Sequence, residues 1–112
     1  MLKTEELIEI ITNEAEALKA NEIEVYDVSK QSNIVDYFII CSGTSNVHVE
    51  SIANRISDKL REVHEKVSLD GTKSSKWIVI DVGPVMVHVM GVEERSKYNL
   101  EQIWKNSSII YH

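Results

Sequence analysis

The sequence predicts a single α/β domain, a mixed β-sheet packed with helices, on three observations. Two stretches carry apolar residues at helical spacing, Tyr37-Phe38-Ile39-Ile40 is a continuous apolar run, and two alternating segments flank Gly83-Pro84. Helical and strand signals that interleave along one chain are the pattern of an α/β layer structure. The chain has 112 residues, an ordinary size for one domain with no room for a second. Its 43% hydrophobic content is enough for a core without disulfides or structural metal. Gly and Pro are scarce and no repetitive or Ser-rich stretch interrupts the chain, so no linker or repeat is expected.

Thr4 to Ala20 reads as an amphipathic helix, with Leu7, Ile8, Ile11, Ala15 and Leu18 on one face. Thr4 is its expected N-cap, Glu5 and Glu6 suit the positive end of the dipole, and Asn21 is its expected stop. Ile23 to Val28 is rich in branched residues and reads as a strand. Asp36 to Cys41 has the unbroken apolar pattern of a central strand covered on both faces. Ser42-Gly43-Thr44-Ser45 breaks it, and a helix follows to about Glu65 on the stripe Val49, Ile52, Ala53, Ile56, Leu60 and Val63. Val67 to Leu69 is an expected short edge strand, closed by the turn signal Asp70-Gly71.

Trp77 to Val82 and Val85 to Met90 read as a β-hairpin around Gly83-Pro84. With a loop of two or four residues, Val82 opposes Val85, Ile80 opposes Val87 and Ile78 opposes Val89; a three-residue loop pairs other residues but keeps the alternation. One face is then wholly aliphatic and belongs to the core. The other carries Trp77, Val79, Asp81, Met86, His88 and Met90. Val92 to Lys105 reads as short helical turns, and Ile109-Ile110-Tyr111 as a last strand.

Charge narrows the function. The formal net charge is −6, from 18 acidic and 12 basic residues. A phosphate backbone is bound by clustered Lys and Arg through counterion release. Here the pairs Lys73 with Lys76 and Lys59 with Arg61 are small and mixed with acids. A nucleic-acid ligand is disfavoured and a basic protein partner fits better. The N-terminus is acidic within six residues and resembles no secretory or transit signal. No apolar run approaches the ~18–20 residues of a membrane helix. A cytosolic protein is expected.

The chemistry-bearing residues are few. Gly43-Thr44-Ser45 at a strand-to-helix junction could hold an anion, but a tight turn with a Ser45 N-cap explains it as well. No second Gly and no Lys-Ser/Thr pair follow, and no Asp-x-Asp, Asp-x-Glu or Glu-x-Glu lies on the strands after it. Metal-assisted nucleotidyl transfer needs such carboxylates. His48, His64, His88 and His112 lack the partners of a helical zinc site, and Cys41 sits alone in an apolar run. No metal, cofactor or catalytic residue is expected. Trp77, Met90 and Tyr98, ringed by Asp81, Glu93, Glu94, Arg95 and Glu101, have the composition of a protein-binding patch. Packing alone would also account for the tryptophan. By strand parity the expected partner-binding surface is Trp77, Asp81, His88, Met90, Arg95, Tyr98 and Glu101.

Three segments together resemble the ribosomal silencing factor (Iojap) family. They are Asp36-Tyr37-Phe38-Ile39-Ile40-Cys41-Ser42-Gly43-Thr44-Ser45 with His48-Val49, then Trp77-Ile78-Val79-Ile80-Asp81-Val82-Gly83 with Val87-His88-Val89, then Glu94-Arg95-Ser96-Lys97-Tyr98-Asn99-Leu100-Glu101 with Trp104. The likeness runs from Leu7 to Trp104. It implies a nucleotidyltransferase-like fold without the catalytic carboxylates, and a partner, the basic large-subunit ribosomal protein conventionally numbered fourteen. Occupying that intersubunit surface would keep the small subunit from joining and turn translation down when nutrients run short. Members of the family often dimerise, so a homodimer is a further expectation. The chain departs at Pro84, where an acidic residue is more usual, which removes a carboxylate and a backbone donor from the hairpin tip. The competing function class is a nucleotidyltransferase-related enzyme or nucleotide-binding regulator using Gly43-Thr44-Ser45.

Overall fold

The computed structural model describes residues 2–71, 76–104 and 108–111. Lys73, Lys105 and His112, named above, lie outside the described residues. Helix α1 (Thr4–Ala17) leads into strands β1 (Asn21–Asp27) and β2 (Tyr37–Gly43), then helix α2 (Asn46–Glu62). Strands β3 (Ser68–Gly71), β4 (Trp77–Val82) and β5 (Val85–Gly91) follow, then helix α3 (Val92–Tyr98), a 3₁₀ turn (Leu100–Trp104) and strand β6 (Ser108–Tyr111). The sheet order is β3-β4-β5-β2-β1-β6. β2 and β5 run parallel, and the other neighbours are antiparallel. The sheet is mixed, as the sequence predicts.

The two sheet faces bury different residues. On one, α1 and α2 place Leu7, Ile11, Ile52, Ile56 and Leu60 against Val25, Ile39, Ile80, Val87 and Val89. Each such fully buried aliphatic side chain is worth ~1.5–3 kcal/mol over its exposed state. On the other, Tyr26, Val28, Val35, Phe38, Ile40 and Met90 form a second cluster, with Trp77, Met86 and Leu100 packed against it. β2 feeds both, Ile39 and Cys41 to one and Phe38 and Ile40 to the other. This is the two-sided burial that its unbroken apolar run requires.

The helix ends differ from expectation. Lys3, not Thr4, is the N-cap of α1, and its backbone N–H donates to the Glu6 carboxylate at 2.9 Å. α1 stops at Ala17 rather than Ala20, because Lys19 turns left-handed at φ 57°. The amides of Lys19 and Ala20 donate back to the carbonyls of Glu16 and Ala15, a Schellman closure. This frees Asn21 to open β1 opposite Ser42. α2 closes the same way at His64 (φ 66°), whose amide reaches Arg61 while that of Glu65 reaches Leu60. It therefore ends at Glu62 rather than Glu65. Ser45 caps its start, accepting from the amide of His48 at 3.1 Å.

β2 also runs two residues beyond its expected end at Cys41, into the expected break, to Gly43. A Cβ at Gly43 would lie 2.9 Å from the Val49 backbone nitrogen, so only glycine lets α2 start this close to the strand. The hairpin has the two-residue loop, with Val82 opposite Val85, Ile80 opposite Val87 and Ile78 opposite Val89. Gly83 holds φ +55° there, and Pro84 supplies a fixed negative φ, the sign pattern of a type II′ turn. The Pro84 carbonyl accepts from the amides of Asp36 and Tyr37 at 2.8 and 3.1 Å, which pins the hairpin tip to the start of β2.

Candidate functional site

The second sheet face carries the site. Alternation sends Trp77, Val79 and Asp81 of β4 and Met86, His88 and Met90 of β5 to the side opposite the helices. There a file of rings crosses the strands. Tyr98 lies 5.0 Å from Trp77, Trp77 is 6.0 Å from His88, His88 is 4.6 Å from Phe38, and Phe38 is 6.3 Å from Tyr26, between ring centroids. Separations of this size fall in the range of favourable tilted and edge-to-face aromatic pairs. At the open end, Tyr98 is 52% exposed and the Lys97 ammonium lies 5.7 Å from its ring centroid. Trp77 is half-buried and Asp81 is exposed.

Below the surface the file is joined by one hydrogen bond. The Trp77 indole N–H donates to His88 Nδ1 at 2.9 Å. An imidazole that accepts at Nδ1 is neutral and carries its proton on Nε2. Burial agrees, since desolvation pushes the His88 pKa from 6.5 down to about 4. Burial of the Tyr26 hydroxyl, and its 2.9 Å bond to the Glu24 carboxylate, likewise push that phenol well above its usual range.

α3 is fastened over the other end of this face by Arg95. Its guanidinium meets Glu24 at 3.0 Å and Glu101 at 3.1 Å. It also donates to the Ser42 hydroxyl at 3.2 Å and to the Asn21 carbonyl at 3.3 Å. Two carboxylates and two neutral acceptors satisfy a buried cation that would otherwise be very costly. A cleft of about 520 Å³ opens beside it, bordered by Asn21, Glu22, Ser96 and Asn99. Asn99, left-handed at φ 49°, ends α3 directly after Tyr98 and leads into the turn that returns Glu101 to Arg95.

The structure brings Trp77 together with Tyr98, His88 and Met90, and Arg95 with Glu101, while Asp81 lies farther along β4 opposite Met86. Not all of the expected residues face outward. Trp77, Asp81 and Tyr98 do. Met90 is completely buried, His88 is 7% exposed and Arg95 5%, while Glu101 is occupied by Arg95. Strand parity gave the right side of the sheet, but the 3₁₀ turn and the segment around Val28 and Val35 cover part of that side. Sequence reasoning missed Glu24, Ser42, Tyr26 and Phe38. Only the alternation of Glu24 with Ile23 and Val25 hinted at a second populated face, and nothing in it pointed to Arg95.

The Gly43-Thr44-Ser45 turn lies elsewhere. The cleft it borders is lined by Glu93 and Glu94 as well as Lys76, and two carboxylates oppose a phosphate there. His48 joins the two helices instead. Its Nδ1 accepts from the Thr44 amide at 2.9 Å, and its Nε2 lies 2.7 Å from the Leu18 carbonyl, to which it donates. Cys41 is fully buried with its thiol pushed up to about 12 by desolvation, so it is no nucleophile. Among the described residues no group of three or more His, Cys, Asp or Glu is placed to hold a metal ion. No helix there is long and apolar enough to cross a membrane.

Comparison with known proteins points one way. A ribosomal silencing factor of Bacillus subtilis is 37% identical over 92 residues, covering 81% of this chain and 78% of that protein. A mouse protein named for mitochondrial assembly of the ribosomal large subunit is 29% identical over 89 residues, which span 76% of this chain and 39% of the mouse protein. A crystal structure from Chromobacterium violaceum superposes with a TM-score of 0.90 at 30% identity, over 93% of this chain and 88% of that one. Residues 2–111 match the family described as "Ribosomal silencing factor during starvation", and the chain belongs to that family.

Proposed function

We propose that this protein is a ribosome-binding translational repressor that docks on the large subunit and keeps the small subunit from joining. The partner is the basic ribosomal protein numbered fourteen on the intersubunit face, and the protein acts in the cytoplasm without catalysis, cofactor or metal. The observation that carries the reading is the tilted Trp77–Tyr98 pair, half-open to solvent, with Asp81 exposed farther along the same face of β4, on a chain of net charge −6. Aromatic anchors set among acidic groups suit a basic protein surface, whereas a phosphate backbone would be repelled. In this proposal Trp77, Tyr98 and Asp81 touch the partner and Glu101 borders the contact. His88, Met90 and Arg95 lie beneath it.

Sedimentation with isolated ribosomal subunits tests the partner. The protein is expected to pellet with large subunits and stay soluble with small ones. Trp77→Ala and Tyr98→Ala should each weaken that binding by ≥2 kcal/mol, ~30-fold, as truncated aromatic anchors do. Asp81→Asn should weaken it less, and the loss should shrink at high salt. Full affinity in a folded Trp77→Ala protein would remove this surface from the contact. A magnesium-dependent rise in melting temperature with ATP or GTP would instead favour a nucleotide-binding regulator.

A further inference from the structure

We infer that His88 is a positioning residue for the docking surface, setting partner affinity through the Trp77 indole without touching the partner. The inference rests on the reading of Trp77 as a docking anchor. Four observations support it. The Trp77 N–H to His88 Nδ1 bond is 2.9 Å, and it joins a half-buried residue to a buried one. His88 is itself held in place, between Ile40 of β2 and Val79 of β4 in the sheet and against the Phe38 ring at 4.6 Å. The imidazole has no room to follow a moving indole. Trp77 also packs against the cluster that holds Met90 and meets the Tyr98 ring at 5.0 Å, and Tyr98 is itself 52% exposed. No other hydrogen bond of the indole N–H is present among the described residues.

A tryptophan side chain on a strand has two free torsions, and an unanchored ring samples more than one rotamer. Packing contacts are not directional and by themselves let the indole slide in its own plane. A directional acceptor beneath the N–H removes that freedom before the partner arrives, so less ordering is left to be done on binding. The neutral tautomer is required, because a protonated Nδ1 would donate toward the indole N–H and repel it. His88 thus acts as an acceptor of fixed position, which few other side chains could replace. Asparagine could, since its Oδ1 sits near the place of Nδ1. Phenylalanine fills the same space and accepts nothing.

The test combines binding to isolated large ribosomal subunits with the Trp77 indole proton signal in the free protein. In His88→Phe the indole proton should shift upfield and exchange faster with solvent, while affinity falls about tenfold, the size expected for one lost hydrogen bond. His88→Asn should restore the signal and bring affinity back to within about threefold of the parent. Trp77→Phe keeps the packing and lacks the N–H. In that background His88→Phe should cost nothing further, a non-additivity that marks two residues acting as one. An additive loss in the double variant would mean that His88 meets the partner directly, and would overturn the inference. Unchanged affinity in His88→Phe, with Trp77→Ala still impaired, would overturn it and leave the docking surface standing. Full affinity in Trp77→Ala would remove both.

Discussion

His88 shows how one buried side chain ties stability to pH. Burial lowers its pKa from 6.5 to about 4, so between those values the unfolded chain takes up a proton that the folded protein refuses. Stability therefore rises with pH across this window and is lost as pH falls from about 6.5 toward about 4. At ~1.4 kcal/mol per decade the full effect is ~3 kcal/mol. Denaturant unfolding at pH 7.5 and 4.5 should show a drop smaller by ~2–3 kcal/mol in His88→Phe than in the parent. An equal drop in both would show that other groups govern the acid limb. Arg95 is the second decisive residue. Removing its charge in Arg95→Met leaves Glu24 and Glu101, each with a 25% exposed side chain, facing each other without a cation. The loss should be ~3–5 kcal/mol, as for a broken buried pair, since Glu101 Oε1 is already buried without a hydrogen-bond partner among the described residues. Arg95→Lys should recover only part of it, since one ammonium cannot bridge both acids and the Ser42 hydroxyl together. Melting curves of the two variants check the order.

Among the elements, the helix termini were the least legible part of the sequence. Both long helices close on a non-glycine residue in the left-handed region, Lys19 for α1 and His64 for α2. Neither carries the glycine signal that usually announces such a close. Periodicity ran on past Ala17 because Leu18 and Ala20 still pack against the core after the helix has ended. The strain is removable. His64 is exposed, so His64→Gly should raise stability by ~0.5–1 kcal/mol, the relief of the left-handed conformation less the extra freedom of glycine when unfolded. A lower denaturation midpoint would show that the imidazole contributes more than its backbone costs. The strands were far more legible. The covered faces of β4 and β5 follow from the aliphatic alternation, and that of β2 from its unbroken apolar run, whereas the hairpin register was decided by the two-residue loop.

For the molecule as a whole, Cys41 is a built-in reporter. It lies on β2 at the centre of the sheet, fully buried, with its thiol pushed up to about 12. A thiol reagent should leave the native protein unlabelled at pH 8 and modify Cys41 only through opening of the core. The labelling rate should then track global stability and accelerate in Arg95→Met. Rapid labelling of the native protein would mean that β1 or β5 detaches locally. The net charge acts at the same scale. An acidic molecule with an exposed Asp81 on the face of its aromatic pair is steered toward basic surfaces, and salt should slow that association more than it speeds dissociation.

The sequence by itself determined the α/β class, the hairpin and its two faces, the central strand, the acidic character and the family, since each is written in local spacing or in contiguous motifs. It also put Trp77 and Asp81 on one face of β4 by parity. Tertiary structure decided which of the site residues reach solvent. Parity distinguishes two sides of a sheet but does not say what covers them. The 3₁₀ turn after α3 and the segment around Val28 and Val35 pack with Met90, the Phe38 and Trp77 rings cover His88, and Arg95 is enclosed by Glu24, Ser42, Asn21 and Glu101. The Arg95–Glu24 pair, 71 residues apart, was likewise invisible, because an ion pair across a sheet leaves no periodic trace in the chain. It forms only when α3 folds back over β1 and β2, where burial makes the two charges depend on each other.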